Sequence, residues 1–164
     1  MEAVVGQVTD VGSFWRALGV RAVGVAIVTA RDADGPAGFL ALSATHLSAD
    51  PPMMMVSIGL KTSALSAVRN SRHFAINYVA KGSDGLADQF GGKGDRKGAD
   101  RFLPDEWTTL KTGAPVLIGA VGVIDCQLEE TIERHGAVIA IGRVMAFQLR
   151  ADLQPMISFA GRYI

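Results

Sequence analysis

Ser43, Thr45 and Ser48 place three hydroxyls within six residues, and Asp50-Pro51-Pro52 closes the run. Further on, Lys61-Thr62-Ser63 sets an ammonium and two more hydroxyls just ahead of Leu65 and Val68, which share one face of a helix. Thr62 or Ser63 can cap that helix by accepting from its free first-turn amides. Hydroxyls beside a helix start make a polar pocket suited to an anion. On residue type alone, the same hydroxyls also serve ordinary turns and strand ends, so both readings stand at this point.

Other reactive groups are sparse. The three histidines are His46, His73 and His135. His73 sits at a helix-to-strand junction and reads as structural; His135 lies in Glu133-Arg134-His135-Gly136, ahead of a long apolar run. Cys126 falls on the apolar side of an alternating stretch, where a thiol behaves as a small hydrophobe, and a lone cysteine fits a reducing compartment. Asp125, Glu129, Glu130 and Glu133 alternate across that stretch, which argues against a carboxylate site. No His, Cys, Asp or Glu group has metal-ligand spacing, so no metal is expected. Gly91-Gly92-Lys93-Gly94 follows a helix pattern rather than a strand, the wrong context for a P-loop or a dinucleotide fingerprint.

The elements that must carry these residues read mostly as strands. Ser13 can cap a short helix with Phe14 and Leu18 on one face. Val23 to Thr29 is a β-branched and small-residue strand. Asp32-Ala33-Asp34-Gly35-Pro36 is a turn, making a hairpin with the strand that begins near Gly38. Met53 to Ile58 and Phe74 to Ala80 are further strands. Ser83 starts a helix carrying Leu86 and Phe90 and ending at Gly91-Gly92. Residues 91–101, rich in Gly, Lys, Arg and Asp, read as a mobile loop with a solvated charged face. Gly119 to Glu130 and Ala137 to Leu149 form two long strands. Ile124, Cys126 and Leu128 lie on one side of the first, with Asp125, Gln127 and Glu129 on the other. Many antiparallel strands with a few short helices argue for an all-β barrel with helical decoration.

The chain has 164 residues, 49% of them hydrophobic, with 16 basic against 16 acidic side chains. That length suits one domain, residues 1–164, with a real core. The charge balance argues against a nucleic-acid surface. The apolar run around Pro51 to Leu60 is too short to span a bilayer. No basic stretch with an apolar core follows Met1, so a secretory leader is not expected and the cytoplasm is.

Ser43-x-Thr45-x-x-Ser48-x-Asp50-Pro51-Pro52, then a Ser63-containing helix and Phe74-Ala75-x-Asn77, resembles the flavin reductase family, the small reductase components of two-component monooxygenases. The resemblance runs from about Phe14 to Tyr163 and rests on the order of several weak motifs. It implies an FMN-binding split β-barrel, antiparallel and Greek-key-like. It places the flavin, FMN or FAD, on Leu42, Ser43, Ala44, Thr45 and Ser48, with Lys61, Thr62 and Ser63 as phosphate cradle. Phe90 and Gly91 and the closing Arg162-Tyr163 complete the flavin site it implies. The family's threonine is replaced by Ala64, and His46 stands where the family usually has serine. The family histidine before the last long strand falls on Ala137. His135 lies two residues earlier, on the same side if the strand is already extended, and is the candidate catalytic residue; a plain hairpin position is the alternative.

The implied activity is NAD(P)H-dependent reduction of FMN or FAD, with NADH or NADPH as hydride donor and the reduced flavin passing to a partner monooxygenase. The site needs an open apolar slot and ring hydrogen bonds rather than an acid–base pair, which agrees with the lack of clustered carboxylates. A homodimer, with no nucleic-acid or membrane partner, is also implied. Two alternatives remain: a flavin-binding or electron-carrier protein without its own activity, and an FMN-dependent oxidoreductase acting directly on an organic substrate.

Overall fold

The computed structural model describes residue 3 and residues 5–164. Helix α1 spans Val11–Leu18, and its N-cap is Asp10. The Asp10 carboxylate accepts from the Ser13 amide at 2.6 Å, and the Ser13 hydroxyl accepts from the Asp10 amide at 3.1 Å. Ser13 is therefore the third helical residue of a capping box rather than the cap itself.

The strand expected over Val23 to Thr29 is two strands. β1 (Val23–Gly24) pairs away from the main sheet, and β2 (Ala26–Asp32) enters it. β3 (Gly35–Ala41) returns as the expected hairpin, with Gly35 at φ 110°, a value that favours glycine. β4 (Thr45–Ala49) and β5 (Pro52–Gly59) form a second hairpin. Then come α2 (Ala64–Ser71), β6 (His73–Tyr78) and α3 (Asp84–Phe90). A short hairpin, β7 (Trp107–Thr109) with β8 (Pro115–Leu117), precedes the long pair β9 (Gly122–Arg134) and β10 (Ala137–Leu149). β11 (Ile157–Phe159) and β12 (Arg162–Tyr163) close the chain, joining β1 in a small sheet.

The main sheet is antiparallel and seven-stranded, ordered β3-β2-β6-β9-β10-β5-β4. Its two edge strands are consecutive in sequence, joined only by Leu42, Ser43 and Ala44. Six flat interstrand steps would separate those edges by about 29 Å. The connection can span about 14 Å at most. The sheet must therefore curl until its edges nearly meet, yet no ladder joins β3 to β4. Ser43 bridges that seam: its Oγ accepts from the Ser57 amide and donates to the Ser57 carbonyl, both at 3.2 Å.

Curling gives the sheet an inside and an outside. Ala26, Val28, Val56, Ile58, Phe74, Ile76, Leu128 and Val138 pack inside with Leu65 and Val68 of α2, the face anticipated from spacing. Cys126 is fully buried there, and its burial, with Asp125 next, pushes the thiol up to about 12. Outside, α3 covers Val25 and Ile27 through Ala87 and Phe90, and the β7–β8 hairpin covers Ala75 and Val123. That hairpin corrects the expected alternation of β9. Gln127 and Glu129 are exposed, but Asp125 is fully buried, accepting from the Thr112 amide at 2.8 Å and from its hydroxyl. Asn77 is equally buried: it donates to the Ile27 carbonyl and the Thr29 hydroxyl and accepts from the Leu117 amide, at 3.0, 3.1 and 2.8 Å. It fastens the hairpin to the sheet.

The 91–101 segment is not the free loop its composition suggests. Gln89 donates to the Arg96 carbonyl at 2.7 Å. Arg101 is only 9% exposed, donates to the Gly38 carbonyl at 2.8 Å, and lies 4.7 Å over the Phe90 ring. A guanidinium can be buried when a carbonyl and an aromatic face replace its water, and composition carries no sign of that. Among the described residues no helix is long and apolar enough to cross a membrane.

Candidate functional site: a groove along the seam

A groove of about 470 Å³ runs between α1 and the sheet where β3 faces β5. Phe14, Trp15 and Leu18 of α1 form one wall, and Phe39 to Leu42 form another. Ser43, Ser57 and Thr62 supply hydroxyls, and Gly59 and Gly91 leave room for close approach of backbone. Among the described residues Arg21 is its only charged lining residue. The groove exists because the strand edges meet without pairing. A ladder there would fill the space with backbone, whereas the Ser43 bridge fixes only one point of the seam.

The expected site residues divide once this geometry is known. Leu42, Ser43, Thr62 and Gly91 line the groove. Ala44 packs against the inner core. The Ser48 hydroxyl donates to the Pro51 carbonyl in its own turn, and the Ser43 hydroxyl is taken up by Ser57. Thr45, Lys61 and Ser63 are exposed. Ser63 holds the N-cap position of α2, but its side chain makes no capping bond. The hydroxyls of Thr45, Thr62 and Ser63, unlike those of Ser43 and Ser48, have no protein partner among the described residues. Phe90 is 3% exposed and packs edge-on against Phe102, so it is a core anchor beside the groove rather than a lining residue. Tyr163 packs half-buried against the cluster under α3, and Arg162 is exposed on β12; neither lines the groove.

His135 occupies a different setting from the one its spacing suggested. Arg134 pairs with Ala137, so His135 and Gly136 are the two-residue loop of the β9–β10 hairpin, with φ of 49° and 79°. Positive φ at both positions is the conformation that fits the twist of paired strands. The strand is not yet extended at His135, so the premise that it shares a side with Ala137 fails. The loop still reaches the cradle region, because the Leu60 amide donates to the Gly136 carbonyl at 3.1 Å. His73 is half-buried at the start of β6, and burial lowers its imidazole below its ordinary value.

Sequence reading missed Trp15, Arg21, Phe39, Ser57 and Gly59 as groove residues. Phe14 and Leu18 had signalled an apolar helix face, but not what it faces. Among the described residues no group of three His, Cys, Asp or Glu side chains could hold a metal ion.

Residues 19–164 match the family described as flavin reductase like domain, and the chain belongs to that family. It is 33% identical over 143 residues, 87% of its length, to a probable flavin reductase of Rhizobium meliloti strain 1021, and it spans 45% of that protein. It is 32% identical over 139 residues to the NADH-dependent FMN reductase RutF of Ancylobacter novellus, covering 85% of this chain and 76% of that one. The styrene monooxygenase flavin reductase of Pseudomonas putida S12 superposes with a TM-score of 0.80 at 26% identity, over 93% of this chain and 96% of that one.

Proposed function

We propose that residues 1–164 form one reductase domain that moves a hydride from NADH or NADPH to FMN or FAD bound along the seam. The observation that carries this is the groove itself: apolar walls that include aromatic rings, hydroxyls at its edge and, among the described residues, no carboxylate. Such a slot fits a flat ring system that stacks rather than one that needs proton shuttling. Bound flavin supplies the electron acceptor, and everything else falls to the protein. Trp15, Leu18 and Phe39 exclude water from one ring face. Lys61, Thr62 and Ser63 lead into the first turn of α2, where the ammonium and the two hydroxyls would hold a phosphate. We read the curled sheet as the family's Greek-key-like split barrel. His135, at the tip of the neighbouring β9–β10 hairpin, stays the candidate residue for ordering the nicotinamide, without acting as a proton donor.

Mixing the protein in catalytic amount with FMN or FAD and excess NADH or NADPH should bleach the reduced-nicotinamide absorbance over many turnovers. Flavin binding without turnover for any of the four pairs would reject the reductase reading in favour of a carrier.

The reduced flavin is expected to pass to a monooxygenase partner, a reading supported by a relative from Rhodococcus jostii named as the reductase subunit of a flavin-dependent monooxygenase. We further propose a cytoplasmic homodimer. Phe147 and Leu149 on β10 are 67% and 73% exposed, an apolar strand face that a second copy would cover. Light scattering at micromolar concentration should give twice the chain mass; a monomer with flavin bound would overturn the dimer.

A further inference from the structure

We propose that Arg101 is a positioning residue for hydride transfer: its buried guanidinium ties together the two chain segments that form the β3 side of the flavin groove. This rests on the flavin reading above. Among the described residues Arg101 is the only Lys or Arg that is buried, and no carboxylate pairs with it. Water solvates an exposed arginine that lacks a partner, so such a residue is unremarkable. A buried guanidinium must have its water replaced by protein groups.

Two carbonyls and one ring replace it. Nη2 donates to the Gly38 carbonyl at 2.8 Å, and Nε donates to the Gly98 carbonyl at 3.2 Å. The guanidinium carbon lies 4.7 Å from the centre of the Phe90 ring. A planar fork with a delocalised charge can stack on a ring while its edge bonds to carbonyls, which an ammonium cannot do. The single 3₁₀ turn at Gly98–Arg101 sets the residue in place. Among the described residues the bond to Gly38 is the one hydrogen bond that joins residues 84–106 to β3.

Both anchors adjoin the groove. Gly38 precedes Phe39, Leu40, Ala41 and Leu42, and Phe90 precedes Gly91; these five residues line it. The two segments are pressed together behind that lining. A Cβ added at Gly91 would lie 3.2 Å from Leu40 Cδ2, and one added at Gly38 would lie 3.0 Å from the Phe90 ring and 3.2 Å from the Phe102 ring. The wall therefore has no slack while Arg101 holds it. With that tie gone, β3 and α3 are left with side-chain packing alone. Hydride transfer depends steeply on donor distance and angle, so a displaced wall costs rate more than it costs affinity.

The test is steady-state kinetics of the full chain with the flavin and nicotinamide pair that turns over best, combined with hydrogen exchange of the ligand-free protein. Arg101→Met and Arg101→Lys should each lower kcat roughly tenfold or more, while the KM for flavin stays within about threefold. Gly38→Ala keeps the guanidinium but forces the rings away from β3, and it should lower kcat as well. Asp125→Asn loosens the β7–β8 hairpin, which lines no part of the groove, and should leave kcat at the parent value. In Arg101→Met the amides of residues 38–42 and 90–97 should exchange roughly tenfold faster, with β9 and β10 unchanged.

Parent-like kcat in Arg101→Lys would show that charge alone matters and would overturn the positioning role. An equal loss of kcat in Asp125→Asn would reduce the effect to general stability and overturn it too. Should the Arg101 variants fail to fold, Gly38→Ala decides, and parent-like kcat there overturns the proposal. A parent that binds no flavin would remove the flavin reading instead; unchanged exchange at residues 38–42 in Arg101→Met would then still overturn the tie.

Discussion

Ser57→Trp should lower flavin affinity about a hundredfold or more, a loss of about 2.7 kcal/mol or greater, while the protein still folds. Ser57 is an exposed residue of β5 and lines the groove. Its own hydroxyl makes no hydrogen bond among the described residues, because the seam bridge runs from the Ser43 hydroxyl to the Ser57 backbone. Strands accept tryptophan readily, so the backbone has no reason to shift. The added indole would stand in the slot assigned to the flavin ring. Flavin titration of the variant measures the effect, and its melting curve should stay within about 0.5 kcal/mol of the parent, as for ordinary surface changes. Undiminished flavin affinity would place the ligand elsewhere on the molecule.

Phe74→Ala should cost about 3–5 kcal/mol of stability, a large share of the roughly 5–15 kcal/mol that holds a domain of this kind. Phe74 is fully buried in the centre of the inner core. Its ring presses on Gly142 of β10: a Cβ added there would lie 2.7 Å from the ring and 2.9 Å from the Cys126 Cβ. The β9–β10 register also shifts between Ile141 and Gly142. Glycine is needed at 142 because the ring occupies the space a side chain would take. Gly142→Val alone should therefore destabilise by about 1–3 kcal/mol through overpacking. Combined with Phe74→Ala, the valine refills part of the cavity, so the double variant should be more stable than Phe74→Ala alone. Denaturant unfolding of all four proteins measures the coupling, and additive losses would show that ring and glycine do not share the space.

Local features were legible in the sequence because their causes are local. Leu65 and Val68 announced the buried face of α2, and β10 runs over the Ala137–Leu149 span that its pattern marked. The Asp32–Pro36 turn produced the β2–β3 hairpin. Residues whose environment comes from distant segments were misread. Asp125 follows the polar side of an alternating strand and is nonetheless buried, because the hairpin at residues 107–117 covers it. Arg101 sits in a charged, glycine-rich stretch and is buried against Gly38 and Phe90. His135 is two residues from Ala137, but the turn's positive φ values break the alternation on which that spacing argument relied.

Residue order by itself determined the hydroxyl-rich loop and the antiparallel strands, since these depend on composition and short-range periodicity. Which hydroxyls remain free for a ligand was decided by tertiary structure. Ser43 and Ser48 spend theirs on the Ser57 and Pro51 backbone, whereas Thr62 and Ser63 do not. The groove was decided there too. Its walls come from α1, β3 and β5, which meet only because a three-residue link forces a seven-stranded sheet to curl until its edges face without pairing.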